Sequence, residues 1–565
     1  MLMRLGSGLC LVSLMLSSCS STVAPAAHAT SPTANTPPPT AAPQQPARPS
    51  GWGEPQVLVP GSSFHGVHGL AIDKQGRLLA GTVVGNDSWE VDRSTGAAKV
   101  FIPAPAGEAD DFAVGPKGEL AWTSYSQGIL RYRENDTADI KELASKLPGI
   151  NSLAFNQKNG KLYASQVFMG DALWEIDVKG KGAPRQIAKD LGGFNGFEVG
   201  PDGLLYGPLW FKGQVVKIAP ADGKITVINS EFKTPAAANL DGKGNLYVLD
   251  TKEGTLNKVE LKSGQKSQVA KLASGLDNLA IAPDGTIYVS NMDDNSVQSV
   301  NPASGEVKTL TRGKLASPGG MRLDGDKLLV ADVFAFRSVD PKTGDVKDVL
   351  RAHDSALEYP GAVGVGGKLI ALSSWSSGTV QLLDRATQRE LEVLHGFKAP
   401  SDALPLADGS LLIAELATGT ITRASGDRYA TRSELAKELA GPAQLLLGSD
   451  GAVYVTEAAG RLTKIDLATG NKTVVAQELA MPEGLAETPW GTFVIAESAT
   501  KRVIEIDPKT GAKTVIAENL PIGLTPGRPG LPPAYLTTGV AVDRNGNVYV
   551  TADTNNSLLR IPAKS

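Results

Sequence analysis

The chain has 565 residues, with 55 Lys and Arg against 59 Asp and Glu and a formal net charge of −4. That length exceeds what one hydrophobic core organises, so two or more folding units are expected. Neither sign of charge is blocked into runs, which argues against nucleic acid or an acidic lipid surface and leaves a small molecule or another protein as partner.

The first element in chain order is a leader. Arg4 is followed by an apolar run from Leu9 to Leu16 and then by Leu16-Ser17-Ser18-Cys19. Residues 1–18 read as a lipoprotein signal peptide: the small side chains fit a peptidase beside the cut, and the Cys19 thiol accepts the diacylglycerol. A plain secretory signal with an incidental cysteine is the alternative. Cys10 leaves with the leader, so Cys19 is the only cysteine left and no internal disulfide is expected. The acyl chains would anchor the protein in the cell envelope without spanning it, on the periplasmic face of the outer membrane in a Gram-negative cell. Residues 19–53 are Ser, Thr, Ala and Pro with few large apolar side chains, the composition of a disordered tether.

From residue 54 onward one phrase recurs twelve times: a short apolar strand, a turn ending in Gly, a second strand rich in Leu, Val and Tyr, then a third and a fourth. Gly203-Leu-Leu-Tyr206, Gly244-Asn-Leu-Tyr247, Gly285-Thr-Ile-Tyr288, Gly451-Ala-Val-Tyr454 and Gly546-Asn-Val-Tyr549 show the second strand. A period of about 42 residues built from hairpins is that of a β-propeller blade; a solenoid is the structural alternative. The expected fold is all-β, two tandem six-bladed propellers of four-stranded blades over 54–304 and 305–565. Helical periodicity is confined to Ser433–Leu439. A fourth-strand phrase at 55–60 precedes the first repeat, and the twelfth repeat lacks a fourth strand. The expectation is that 55–60 completes the sixth blade and 306–311 the twelfth, leaving neither ring with a free edge.

First strands line a propeller's axis, so the residues at their entry converge on one mouth. In the first ring these are His68, Asp110 with Asp111, Asn151, Asn195, Ala236, and Asp277 with Asn278. All but Ala236 are polar, and hard oxygen donors converging from several blades suit Ca²⁺; a water-filled polar channel is the other reading. The second ring offers Gly319, Gly361, Ser401 with Asp402, Ala443 with Gln444, Glu483 and Thr538, a poorer set without His. Turns between second and third strands open on the same face and carry Phe168-Met169 and Trp210-Phe211, an apolar wall for a substrate. The Pro- and Gly-rich stretch 521–535 lengthens the last interval, either as a rigid lid or as a harmless insertion.

The phrases Asn195-Gly-Phe-Glu-Val-Gly-Pro-Asp-Gly203 and Leu276-Asp-Asn-Leu-Ala-Ile-Ala-Pro-Asp-Gly285, with His68-Gly-Leu-Ala-Ile72 and Asp110-Asp111, give the first ring its family likeness. It resembles the six-bladed calcium-dependent lactonases and esterases of the paraoxonase, regucalcin and gluconolactonase type. Going round such a ring, an acidic pair precedes a His blade, an amide/acid pair, an Asn, an Asp-Asn pair and a blank. Counted from its sixth repeat, this chain reads Asp277-Asn278, His68, Asp110-Asp111, Asn151, Asn195 and Ala236. It departs at Asn195-Gly196, where the family has a second acid, and it has no counterpart of the regucalcin-type Glu ligand.

The resemblance implies Ca²⁺ held by Asp110, Asp111, Asn151, Asn195, Asp277 and Asn278. His68 would be the base, oriented by His65, and Phe168, Trp210 and Phe211 would contact a lactone or ester substrate. A non-enzymatic scaffold binding a small molecule or protein, and a propeller lyase, are the competing functions.

Overall fold

The computed structural model describes residues 48–525 and 538–564. The expected leader, the expected lipidation site Cys19, most of the expected tether and the middle of the 521–535 stretch lie outside the described residues.

Twelve four-stranded antiparallel sheets follow one another along the chain. Blade 1 is typical, with Val67–Ile72, Leu78–Thr82, Ser88–Val91 and Ala98–Ile102 paired in sequence order. The turn from first to second strand explains the recurring glycine. Gly244, Gly285 and Gly451 have φ of +93°, +88° and +79°, while an added Cβ at each would meet nothing within 4 Å. The left-handed backbone, rather than crowding, asks for glycine there.

The first strand of blade 6, Leu276–Ile281, packs against that of blade 1, Val67–Ile72, and closes the first ring. The first strand of blade 7, Pro318–Asp324, packs against that of blade 12, Val540–Val542, and closes the second. Hydroxyls reinforce both closures: Ser290 Oγ donates to the His68 carbonyl at 2.5 Å and Thr551 Oγ1 to the Gly319 carbonyl at 2.8 Å. Each blade-to-blade layer holds its own apolar cluster. One such cluster, of Phe64, Val67, Leu78, Ala280, Tyr288 and Val297, seals blade 6 to blade 1.

The closing strand is not where the sequence placed it. Gln56–Val59 pairs with Ser557–Ile561 and is the fourth strand of blade 12. Blade 6 keeps its own fourth strand, Val307–Thr311 against Ser296–Val300, so it has no vacancy to fill. The chain therefore lays one strand in the second ring, builds the whole first ring, and returns to finish the second. Part of the expected tether is a strand: Gly51–Trp52 pairs with Ala563–Lys564, and Trp52 packs on the layer between blades 11 and 12. Around Ser433 the expected helical turn is instead a fourth strand, Thr431–Ala436, paired with Thr420–Ser425.

Turns and strand ends on the face where first strands begin join the two rings. Asn295 Nδ2 donates to the carbonyls of Phe64 and Ala316, pinning both crossings between rings side by side. Arg351 reaches Asp293 at 3.5 Å and the Ser274 carbonyl at 2.7 Å. A separate apolar cluster of Met292, Ala316 and Phe334, with Val84 against it, bridges the rings.

Candidate functional site

A β-bulge at the entry of most first strands aims the axial side chains. Ladder register shifts between Val67 and Leu70, Ile150 and Leu153, Pro235 and Ala238, and Leu276 and Leu279. The skipped residues include His68, Asn151, Ala236, Asp277 and Asn278, whose side chains are thereby turned toward the axis.

The axial side chains of the first ring fall into separate groups. In one, Asn278 Nδ2 donates to Asp111 Oδ1 at 2.8 Å, a bond from blade 6 to blade 2. It skirts Gly69 of blade 1, where a Cβ would stand 2.9 Å from both the Asp110 carbonyl and Asp111 Cα. Asp111 also accepts from the backbone N–H of Phe112 at 2.8 Å and of Leu153 at 3.3 Å. Asn278 Oδ1 accepts from the Leu279 N–H at 2.7 Å. These two expected ligands thus spend polar atoms on binding the blades to one another.

The rest are Asp110 and Asp277, within electrostatic reach of each other and Asp277 of His68, and Asn151 with Asn195. Ser152 Oγ lies 2.8 Å from both Asn151 Oδ1 and Asn195 Oδ1 and can donate to only one at a time. No hydrogen-bond donor and no Lys or Arg partner reaches the Asp110 or Asp277 carboxylate among the described residues. Burial, then Asp277, Asp111 and Glu108, push Asp110 well above the usual carboxylate range. Burial likewise raises Asp277, with His68 and His353 pulling it back. Asp111 rises to about 7 through burial, offset by its three hydrogen bonds. Acids crowded together raise one another's pKa because two like charges at short range repel.

No three His, Cys, Asp or Glu side chains converge at metal-binding spacing among the described residues. A cation at this mouth would therefore draw on the two free carboxylates, Asp110 and Asp277, and on the amide oxygens of Asn151 and Asn195. That all-oxygen donor set fits calcium.

The two histidines part company. His68 Nδ1 donates to the Gly66 carbonyl at 2.8 Å, which fixes the ring and leaves Nε2 as the unprotonated nitrogen of the neutral imidazole. His65 does not orient it. His65 Nε2 donates to the Asp553 carbonyl of blade 12 at 2.8 Å, and burial lowers its pKa, so it serves as a neutral strut between rings. Phe168, Trp210 and Phe211 do come together, edge to face, with centroids 5.3 and 5.6 Å from Phe168. Phe168 and Phe211 are 50% and 60% exposed.

The second ring's mouth is filled from within. Arg322 bonds Asp402 Oδ2 at 3.0 Å, the Leu445 carbonyl at 2.7 Å and Gln444 Oε1 at 3.2 Å, a guanidinium spanning blades 7, 9 and 10. Burial still lifts Asp402 to about 6, with Arg322 holding it down.

Residues of the second ring also stand at the first ring's mouth, and the blade-entry pattern did not reveal them. Phe334 lies edge-on to His68, centroids 5.8 Å apart, and to Tyr359 at 6.0 Å. His353 Nδ1 contacts Asp293 Oδ1 at 2.7 Å and its ring faces Tyr359 at 6.3 Å. The one hint was the length of connection 352–361 beside its neighbours 395–399 and 478–481.

The architecture is that of a double six-bladed β-propeller. A family described as "Beta-propeller repeat" matches residues 531–560, most of blade 12. No curated protein matches the chain.

Proposed function

We propose that the chain is a lipid-anchored protein of the cell envelope whose first ring is a calcium-dependent hydrolase of esters or lactones. The observation that carries this reading is the pairing of buried Asp110 with half-buried Asp277, which no Lys or Arg reaches among the described residues, beside His68 with Nε2 free. Asp110, Asp277, Asn151 and Asn195 would hold the ion, and a calcium ion supplies Lewis-acid polarisation of a carbonyl. His68, fixed through Nδ1, takes the proton of the attacking water at Nε2. Phe168, Trp210 and Phe211 offer apolar surface to the acyl group or lactone ring.

A non-enzymatic binding scaffold is the second reading, favoured by the engagement of Asp111 and Asn278 with each other and by the departure of His65 from the site. Calcium content of the purified mature protein, followed by a screen of lactones and aryl esters with and without chelator, separates the two. Bound calcium with chelator-sensitive turnover supports the hydrolase. A protein free of calcium and inert toward every ester and lactone overturns it.

A further inference from the structure

Propeller rings joined in one chain need not share a site, yet here the second ring reaches into the first ring's mouth. Phe334, in the turn between Lys327–Asp332 and Ala335–Val339 of blade 7, packs so closely on Gly66 that a Cβ there would stand 2.5 Å from its ring. Gly66 has φ +66°, so both backbone and space reserve the position for glycine, and Phe334 remains edge-on to His68. Tyr359 extends the aromatic row. It keeps 43% of its surface exposed, and its ring lies edge-on to both Phe334 and His353, with centroids 6.0 and 6.3 Å away. Tyr359 therefore offers an accessible aromatic face beside the contact of Phe334 with His68. Its backbone is unusual as well: φ is +48° in a bulky residue directly before Pro360, where left-handed geometry is costly and persists only when the surroundings impose it.

Resting on the hydrolase reading above, we propose that Phe334 and Tyr359 of the second ring form the specificity wall of the first ring's mouth, holding the apolar acyl chain or ring of the ester over His68. The first ring then supplies the acids and the imidazole, and the second decides which acyl groups fit. Aromatic edges present apolar area at small entropic cost, and the phenol hydroxyl adds one polar contact at the rim.

The test uses the full chain with Tyr359→Gly, which relieves the backbone while removing the ring, Tyr359→Phe, which removes only the hydroxyl, and Phe334→Leu. Calcium alone, titrated calorimetrically, should bind all three within twofold of wild type. Across 4-nitrophenyl acetate, butyrate and octanoate, the spread of KM should shrink at least tenfold in Tyr359→Gly and change little in Tyr359→Phe. His68 carbethoxylation by diethyl pyrocarbonate, mapped by peptide mass, should run at least threefold faster in Tyr359→Gly and Phe334→Leu. That rate reads the wall even when no ester is turned over, so inert wild-type protein with faster carbethoxylation sinks the hydrolase reading and leaves the wall standing. Wild-type carbethoxylation rates in both variants overturn the wall, as does an unchanged KM spread in an active protein.

Discussion

Removing residues 1–60 deprives blade 12 of its outer strand and should undo the second ring selectively. The lost strand pairs Gln56 with Arg560, Val57 with Leu559 and Val59 with Leu558. Val59 is fully buried in the layer with Leu315, Met321, Leu328 and Leu558 that joins blade 12 to blade 7. Burying one such side chain is worth about 1.5–3 kcal/mol. Half-buried Leu58 and Trp52 add roughly 2–3 kcal/mol together, and the ladder bonds about 1 kcal/mol each net. The total, roughly 5–10 kcal/mol, approaches the whole stability of an ordinary domain, about 5–15 kcal/mol. For a ring of this size the midpoint should fall by roughly 10–20 °C. Differential scanning calorimetry with proteolysis mapped by mass spectrometry reads it: cleavage should concentrate in 318–564 while 67–311 stays protected, and a peptide of residues 48–60 added in trans should restore protection. A truncated protein that melts as the full chain does would refute this account of ring closure.

Asp277→Asn should weaken calcium binding and remove most of the calcium-dependent rise in melting temperature, which for wild type at a hundredfold excess over Kd corresponds to about 2.7 kcal/mol. Asp402→Asn, which unpairs Arg322, should lower stability equally in calcium and in chelator; like behaviour of the two would remove the metal reading. Arg322→Met strands the buried Asp402 carboxylate and should cost about 3–5 kcal/mol in urea unfolding, much of it recovered by adding Asp402→Asn. Glu198, raised by burial from 4.5 to about 7 despite the bond it accepts from the Leu240 N–H at 2.7 Å, is protonated more readily folded than unfolded. Stability from this group is present below pH 4.5 and lost as pH rises to 7, so Glu198→Gln should be more stable than wild type by up to about 3 kcal/mol at pH 8 and equal to it at pH 4. Thermal melts across that range check it, and a constant difference at all pH values would count against it.

Blade period and strand order were legible because they rest on local chemistry. Gly285 and its equivalents mark a turn that demands a left-handed residue, and buried second strands such as Ile287–Asn291 are apolar enough to stand out. Fourth strands were harder, since each lies at a blade's solvent edge. Thr431–Ala436 is exposed along most of its length, so its polar face carried no alternation to separate strand from helix. The partner of 55–60 was illegible for another reason: any blade accepts a short Val-rich strand, and only the observation that blade 6 already owned four strands decides the matter. At the axis the sequence placed acids, amides and His68 on one mouth, but not the division of labour among them. Whether Asp111 faces an ion or Asn278 depends on a contact between blades 6 and 2 that no spacing encodes.

The nested path of the chain bears directly on the mouth. Both crossings, 60–66 and 312–317, leave the first ring on the face where its first strands begin, and Asn295 holds them together through the Phe64 and Ala316 carbonyls. A ring attached by one crossing can swing; one attached by two adjacent crossings, a neutral His65 strut and the Arg351 contacts to Asp293 and Ser274 has little freedom to do so. Phe334 is thus held against His68, and Tyr359 against Phe334, by the same junction that inserts one ring within the other. The second ring has Arg322 across its own axis, while Phe334, Tyr359 and His353 of that ring stand at its neighbour's mouth.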